Sequence, residues 1–319
     1  MELTGITLTG FTLTSPPPEN TAAWFGAGYT NVQPGAGSSS NVQRITFATD
    51  TDTASTRGPL SLTRDRLAAA SNFTDGWFGG GSGSYPSYFS TVDRITYATD
   101  TATASVRGPL SQARFSLAAA GNTTDGWFGG GYNTATAPLN KSTVDRITYA
   151  TDTATTSVRG PLSASRYSLA AVGNSDYGWF GGGESPGVST VDRITYATDT
   201  ATASVRGPLS QVVFRQAAAG NDTDGWFGGG YTPTTARSTV NRITYATDTA
   251  TASVRGPLSA ARQRLAAAGN LTDGWFSGGA PGPFSTVDRI TYATDTATAS
   301  VRGPLSSARY NLAAAGGVQ

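Results

Sequence analysis

The sequence predicts an all-β protein, a six-bladed β-propeller closed by pairing of its C-terminal strand with its N-terminal blade and preceded by an N-terminal arm. Three observations carry that expectation. A unit recurs six times at steps of 47 to 52 residues, read from the arginines Arg57, Arg107, Arg159, Arg206, Arg255 and Arg302. Each unit holds four short strand-like runs separated by turn residues, the arithmetic of a propeller blade. The strand missing from the first unit is supplied at the other end of the chain.

The repeat overrides the two domains that 319 residues would suggest as a bare prior. The string STVDRITYATDTATASVRGPLS stands letter for letter at 90–111, 189–210 and 285–306. The six tryptophans, Trp24, Trp77, Trp127, Trp179, Trp226 and Trp275, keep the same beat.

Within one unit, Leu117-Ala118-Ala119-Ala120-Gly121 is bounded by glycine and too short for a stable helix. A turn at 122–126 leads into Trp127-Phe128 and three glycines. After a loop, Val144 to Tyr149 alternates β-branched and aromatic residues, a strand pattern. Thr151-Asp152-Thr153 turns the chain into Thr156-Ser157-Val158-Arg159, which Gly160-Pro161 ends. The first unit begins at Trp24 without an alanine strand, and the last ends with one, Tyr310 to Gly316. A blade can bury its faces only against neighbours, so the array must close.

Composition excludes several functions. The chain has 40 glycines, no cysteine and no histidine. Disulfides, Cys/His zinc sites, thiol nucleophiles and imidazole bases are therefore absent. The net charge is +1, with Lys141 the single lysine, so no basic field exists to gather nucleic acid. The N-terminus does not read as a secretion signal, and no apolar run is long enough to insert in a membrane. No cofactor and no metal is expected. One carboxylate per Thr-Asp-Thr turn is far from a calcium shell. Asp50, Asp100, Asp152, Asp199, Asp248 and Asp295 read instead as Asx-type turn residues.

Seventeen of the arginines recur at three repeat positions, which assigns them to the scaffold as blade-to-blade pairs or backbone caps. Variation concentrates elsewhere, in the loops 29–38, 82–89, 132–141, 184–188, 231–237 and 280–284. These carry Tyr29, Tyr85, Tyr88, Phe89, Tyr132, Tyr231 and Phe284, the candidate binding residues. Loops of one class leave a propeller on one face, so that face is expected to be diversified, with aromatics at exposed tips. The residues 1–20 stand outside the repeat. There Leu3, Ile6, Leu8, Phe11 and Leu13 alternate with threonine and glycine before a proline spacer, a strand-competent arm able to add to another chain's sheet edge, including that of a second copy.

The order of these pieces resembles the Kelch repeat. Trp77-Phe78-Gly79-Gly80, the tyrosine strand Arg94-Ile95-Thr96-Tyr97 and the connection from Pro109 to Ala120 carry the resemblance, which covers 21–319. The second tryptophan usual in Kelch blades is replaced here by alanine, serine or valine. Near-identical Gly/Thr/Ser-rich repeats are also similar to those of structural proteins of cyanobacterial and marine tailed phages. That resemblance implies a non-enzymatic virion component, a fibre, tail or head-decoration protein, assembled in the host cytoplasm. Its partners would be other virion proteins and a host surface glycan or protein. The alternative is a free lectin-like or protein-binding module. An enzyme is disfavoured: the irregular acids Asp65, Glu184 and Asp222 lie in different units, and glycoside hydrolysis needs two that converge.

Overall fold

The computed structural model describes residues 21–30, 37–84, 86–282 and 284–316. The arm, with Leu3, Ile6, Leu8, Phe11 and Leu13, lies outside the described residues, as does Tyr85. Six four-stranded antiparallel sheets make the blades of a propeller, and each blade is ordered along the chain from its inner to its outer strand. Blade 1 is the exception, because its inner strand Ala313–Ala315 comes from the C-terminal end. That strand pairs Trp24 with Ala315, Phe25 with Ala314 and Gly26 with Ala313. The closure read from the two ends of the sequence is therefore the observed one.

Blade 3 shows how sequence becomes structure. Its strands are Ala118–Gly121, Asp125–Gly129, Val144–Thr148 and Ser157–Arg159. The inner strand alternates. Ala118 and Ala120 face the core, while Ala119 faces the central channel. Small side chains are needed there because six such strands converge on one axis. The second strand is buried on both faces: Trp127 packs toward blade 4 and Phe128 toward blade 2. The third strand continues the core with Val144 and Ile147.

Two local expectations differ from the structure. The tyrosine closing the third run, Tyr149, starts a 3-10 turn instead of extending the strand. The bend lays its ring flat on Trp77 of blade 2, with centroids 3.8 Å apart and planes 8° from parallel. Asp152 in the same turn aims its carboxylate across the interface rather than back at its own turn. It accepts from Trp77 Nε1 at 2.9 Å and Arg94 at 3.1 Å, with Arg107 at 3.4 Å. This node repeats at Asp100, Asp199, Asp248 and Asp295, and at Asp50 across the closure. Each blade interface thus has one aromatic stack and one carboxylate holding an indole and two guanidinium groups of the preceding blade.

The blades approach so closely that Gly108 has no room for a side chain. An added Cβ would collide with the backbone carbonyl of Ala154 in the next blade. Gly108→Ala should therefore lower stability by about 1–3 kcal/mol through overpacking, read as a fall in thermal midpoint. An unchanged midpoint would mean that the interface can spread.

Candidate functional site

The strand order places two classes of loop on one face: the variable loops between second and third strands, and the connections from each outer strand to the next inner strand. A buried arginine clamps the foot of a variable loop. Arg64 donates to the carbonyls of Gly80 at 2.9 Å and Thr91 at 2.8 Å, on the two legs of the loop, and pairs with Asp93 at 2.9 Å. Arg114–Asp145, Arg166–Asp192 and Arg262–Asp288 repeat the pair at 3.1, 3.0 and 2.9 Å. Fixed feet leave the loops free to differ.

Two blades depart together from this pattern. Blade 5 replaces the pair by Val213 and Asn241, both buried, so neither charge is left alone. Blade 1 keeps Arg309 but has Gln43 where the carboxylate stands elsewhere. Arg309 donates to the carbonyls of Ala27 and Asn41 at 2.9 and 2.8 Å. Burial lowers its guanidinium pKa to about 10.

The described loop aromatics lie half-buried at the loop bases, not at exposed tips. Each meets the neighbouring connection. Tyr88 stacks on Phe115 with centroids 5.1 Å apart, Tyr132 contacts Phe115 and Tyr167 at 5.5 and 5.0 Å, Tyr231 contacts Phe214 at 5.7 Å, and Tyr29 contacts Tyr310 at 5.4 Å. Phe89 and Phe284 hold return legs, their carbonyls accepting from the amides of Arg114 and Arg309 at 3.2 and 3.1 Å. Among the six described candidates, the result is a set of aromatic patches around the face rather than independent tips.

Inside those patches lies the channel mouth. The backbone forms a closed ring there. Ser116 N–H donates to Arg66 O, Ser168 to Ser116, Arg215 to Ser168, Arg264 to Arg215, Asn311 to Arg264 and Arg66 to Asn311, all at 2.7–2.8 Å. All six residues have left-handed φ of 54–60°, uncommon outside glycine and held here by the ring. Their side chains rim a mouth of ≈100 Å³. Beside it, a cleft of ≈530 Å³ is lined by Tyr29, Asp65, Arg66, Tyr310 and Asn311 among others.

Arg66, Arg215 and Arg264 rest over Phe115, Phe214 and Tyr310 at 5.4, 5.3 and 5.7 Å. Burial first, then the like charges of Arg215 and Arg66, lower the Arg264 pKa. Burial raises the carboxyl pKa of Asp65, against the opposing hydrogen bond from Ser82. Tyr167 is pushed up to about 12 by burial and by its neighbour Glu184.

The three rim arginines are absent from the sequence-based candidates. The signal that could have found them is the variable pair following the clamp position: Asp65-Arg66, Phe115-Ser116, Tyr167-Ser168, Phe214-Arg215, Gln263-Arg264 and Tyr310-Asn311. On the opposite face, clefts at the Trp24 and Trp127 nodes follow the repeat geometry. Among the described residues, no three His, Cys, Asp or Glu side chains group as a metal site. Nor, among the described residues, is any helix long and apolar enough to cross a membrane.

The fold and this built-up face define a β-propeller repeat protein. The solved structure of YjhT is similar to it with a TM-score of 0.68 at 14% identity, covering 91% of this chain and 99% of YjhT. At that identity the similarity speaks for the fold alone. No protein-family profile matches the chain, and no curated protein matches it.

Proposed function

We propose that the chain is a non-enzymatic virion structural and adhesion protein with Kelch-like blades, attached to the particle through residues 1–20 and presenting the variable loop face to its target. The contrast between the two faces supports this most directly: one repeats its turns, while the other combines unequal loops, clustered aromatics and an irregular rim on a clamped scaffold. Recognition surfaces are made this way, with variable segments held on rigid elements. Two of the three irregular carboxylates are occupied locally, Asp65 by Ser82 at 2.7 Å and Glu184 by Arg215 at 2.7 Å, which favours binding over acid–base work there.

Removal of residues 1–20 should abolish incorporation into particles while leaving the propeller's thermal midpoint in place; assembly of the truncated chain would overturn the anchoring role. The variant Tyr88→Ala/Tyr132→Ala/Tyr231→Ala should lower particle adsorption to host cells at least about tenfold, the scale of two or three lost aromatic contacts. Unchanged adsorption would remove the loop face from the proposal. Binding without particle incorporation favours the second reading, a free lectin-like module.

A further inference from the structure

We infer that the channel mouth and its adjoining cleft bind an acidic sugar, whose carboxylate or sulfate group is held by Arg66, Arg264 and Asn311. The inference rests on the loop face being the binding face and names the chemistry it recognises.

Four arginines fall outside the repeat: Arg66, Arg215, Arg237 and Arg264. Three of them rim one mouth although they come from blades 2, 5 and 6. Like charges gathered without structural need raise the question of what they face. Arg215 is satisfied by Glu184 at 2.7 Å and by the Gln263 side chain at 3.2 Å. Arg66 lies 3.8 Å from Asp65, a long contact. Among the described residues, Arg264 makes no ion pair at all. Asn311 stands between Arg264 and Arg66 in the backbone ring, and its side-chain amide nitrogen is buried without a hydrogen-bond partner. Two guanidinium groups flanking an unused amide donor form a recess for an oxyanion, because both supply N–H donors and neither supplies an acceptor.

The class of ligand follows from what adjoins the recess. The ≈530 Å³ cleft shares Arg66 and Asn311 with the mouth, so a bound anion would carry the rest of its molecule into that cleft. Its wall has the Tyr29–Tyr310 pair, a surface on which a sugar ring can lie. Asp65 and Ser38, at the same wall, provide oxygens for ring hydroxyls. A platform plus hydroxyl partners plus an oxyanion recess fits a uronate or sulfated sugar better than an acidic peptide, which would need donors spaced along a strand.

The test uses the full chain on immobilised polygalacturonate, dextran sulfate, neutral dextran and poly-glutamate. Retention on either acidic polysaccharide above neutral dextran is expected, and the two acidic supports distinguish carboxylate from sulfate. Arg264→Gln and Arg66→Gln should each weaken that binding about tenfold or more, the scale of a lost charge-assisted contact. Val205→Glu, which lowers the net charge by the same amount on an exposed outer strand away from the mouth, should leave it unchanged. Thermal midpoints within about 2 °C of wild type would show that the variants fold. Equal weakening by Val205→Glu, no effect of Arg264→Gln, tighter binding to poly-glutamate, or no retention on acidic supports would each overturn the inference. Host adsorption by the Tyr88→Ala/Tyr132→Ala/Tyr231→Ala variant reports separately on the loop face, so failure there is distinguishable from failure at the recess.

Discussion

Truncation after Leu312 should leave a chain that no longer unfolds as one cooperative unit. The closing strand Ala313–Ala315 is three residues long, yet its loss uncovers the inner edge of blade 1 and two interfaces together. Ala313 and Ala315 pack with Trp24 and Phe78, in the core that joins blades 1 and 2. Ala314 packs against the cluster of Trp275 and Phe25 that joins blades 6 and 1. Opening both leaves the first blade joined to the last through its outer contacts, such as the Asp50 node and the Phe47–Trp275 stack, with the inner edge of the ring broken. The expected loss is comparable to the whole net stability of a domain, about 5–15 kcal/mol. Size-exclusion profiles and thermal unfolding should show an aggregating species with a broad, early transition. A peptide of residues 309–319 added in trans should restore a sharper transition. A truncated chain melting within a few degrees of the intact one would show that closure contributes little.

The second large effect is expected from Asp145→Asn. Its carboxylate accepts from the Ser111 amide at 3.0 Å and lies 3.1 Å from Arg114, with both side chains 0% exposed. Asparagine keeps the first contact, as Asn241 does with Ser210 at 3.1 Å in blade 5. It cannot balance the guanidinium. Leaving one member of a buried pair uncompensated costs about 3–5 kcal/mol. The lower end is expected because Arg309 shows that backbone carbonyls can hold this cation. Arg114→Val/Asp145→Asn reproduces the residues of blade 5 and should recover most of the loss, to within about 1.5 kcal/mol of wild type. Denaturant unfolding of the two single variants and the double variant checks this. A double variant as unstable as Asp145→Asn would show that the charge is not the cause.

The scaffold was legible because its signals are local and repeat in phase. Trp77-Phe78 followed by glycines, the alternation of Val92 to Thr96, and the incomplete first unit each specify a strand or its place. The blade interface was only half legible. Trp24 and Asp100 both recur visibly, but they are 76 residues apart, and no spacing rule says that one donates to the other across two blades. Asp100 therefore reads as a turn residue until the ring is assembled. The loop aromatics were found by variation, while their depth was not, because burial depends on Phe115, Tyr167, Phe214 and Tyr310 from other segments. The rim arginines were missed for the opposite reason. Arg66, Arg215 and Arg264 sit inside an otherwise constant connection, where a changed residue looks like drift.

The backbone ring at the mouth separates two kinds of information. Its six hydrogen bonds join main chain to main chain, so the aperture keeps its width whatever side chains stand on it. The rim can therefore be respelled, exchanging arginine for serine or asparagine, without renegotiating the blades. The alphabet has one restriction, since every rim position has a φ of 54–60°. Proline is forbidden there, and valine, isoleucine and threonine are disfavoured by their branched Cβ. Relatives with a different target should thus differ at these six letters first, drawn from unbranched residues, while their nodes of tryptophan, aspartate and arginine stay as they are.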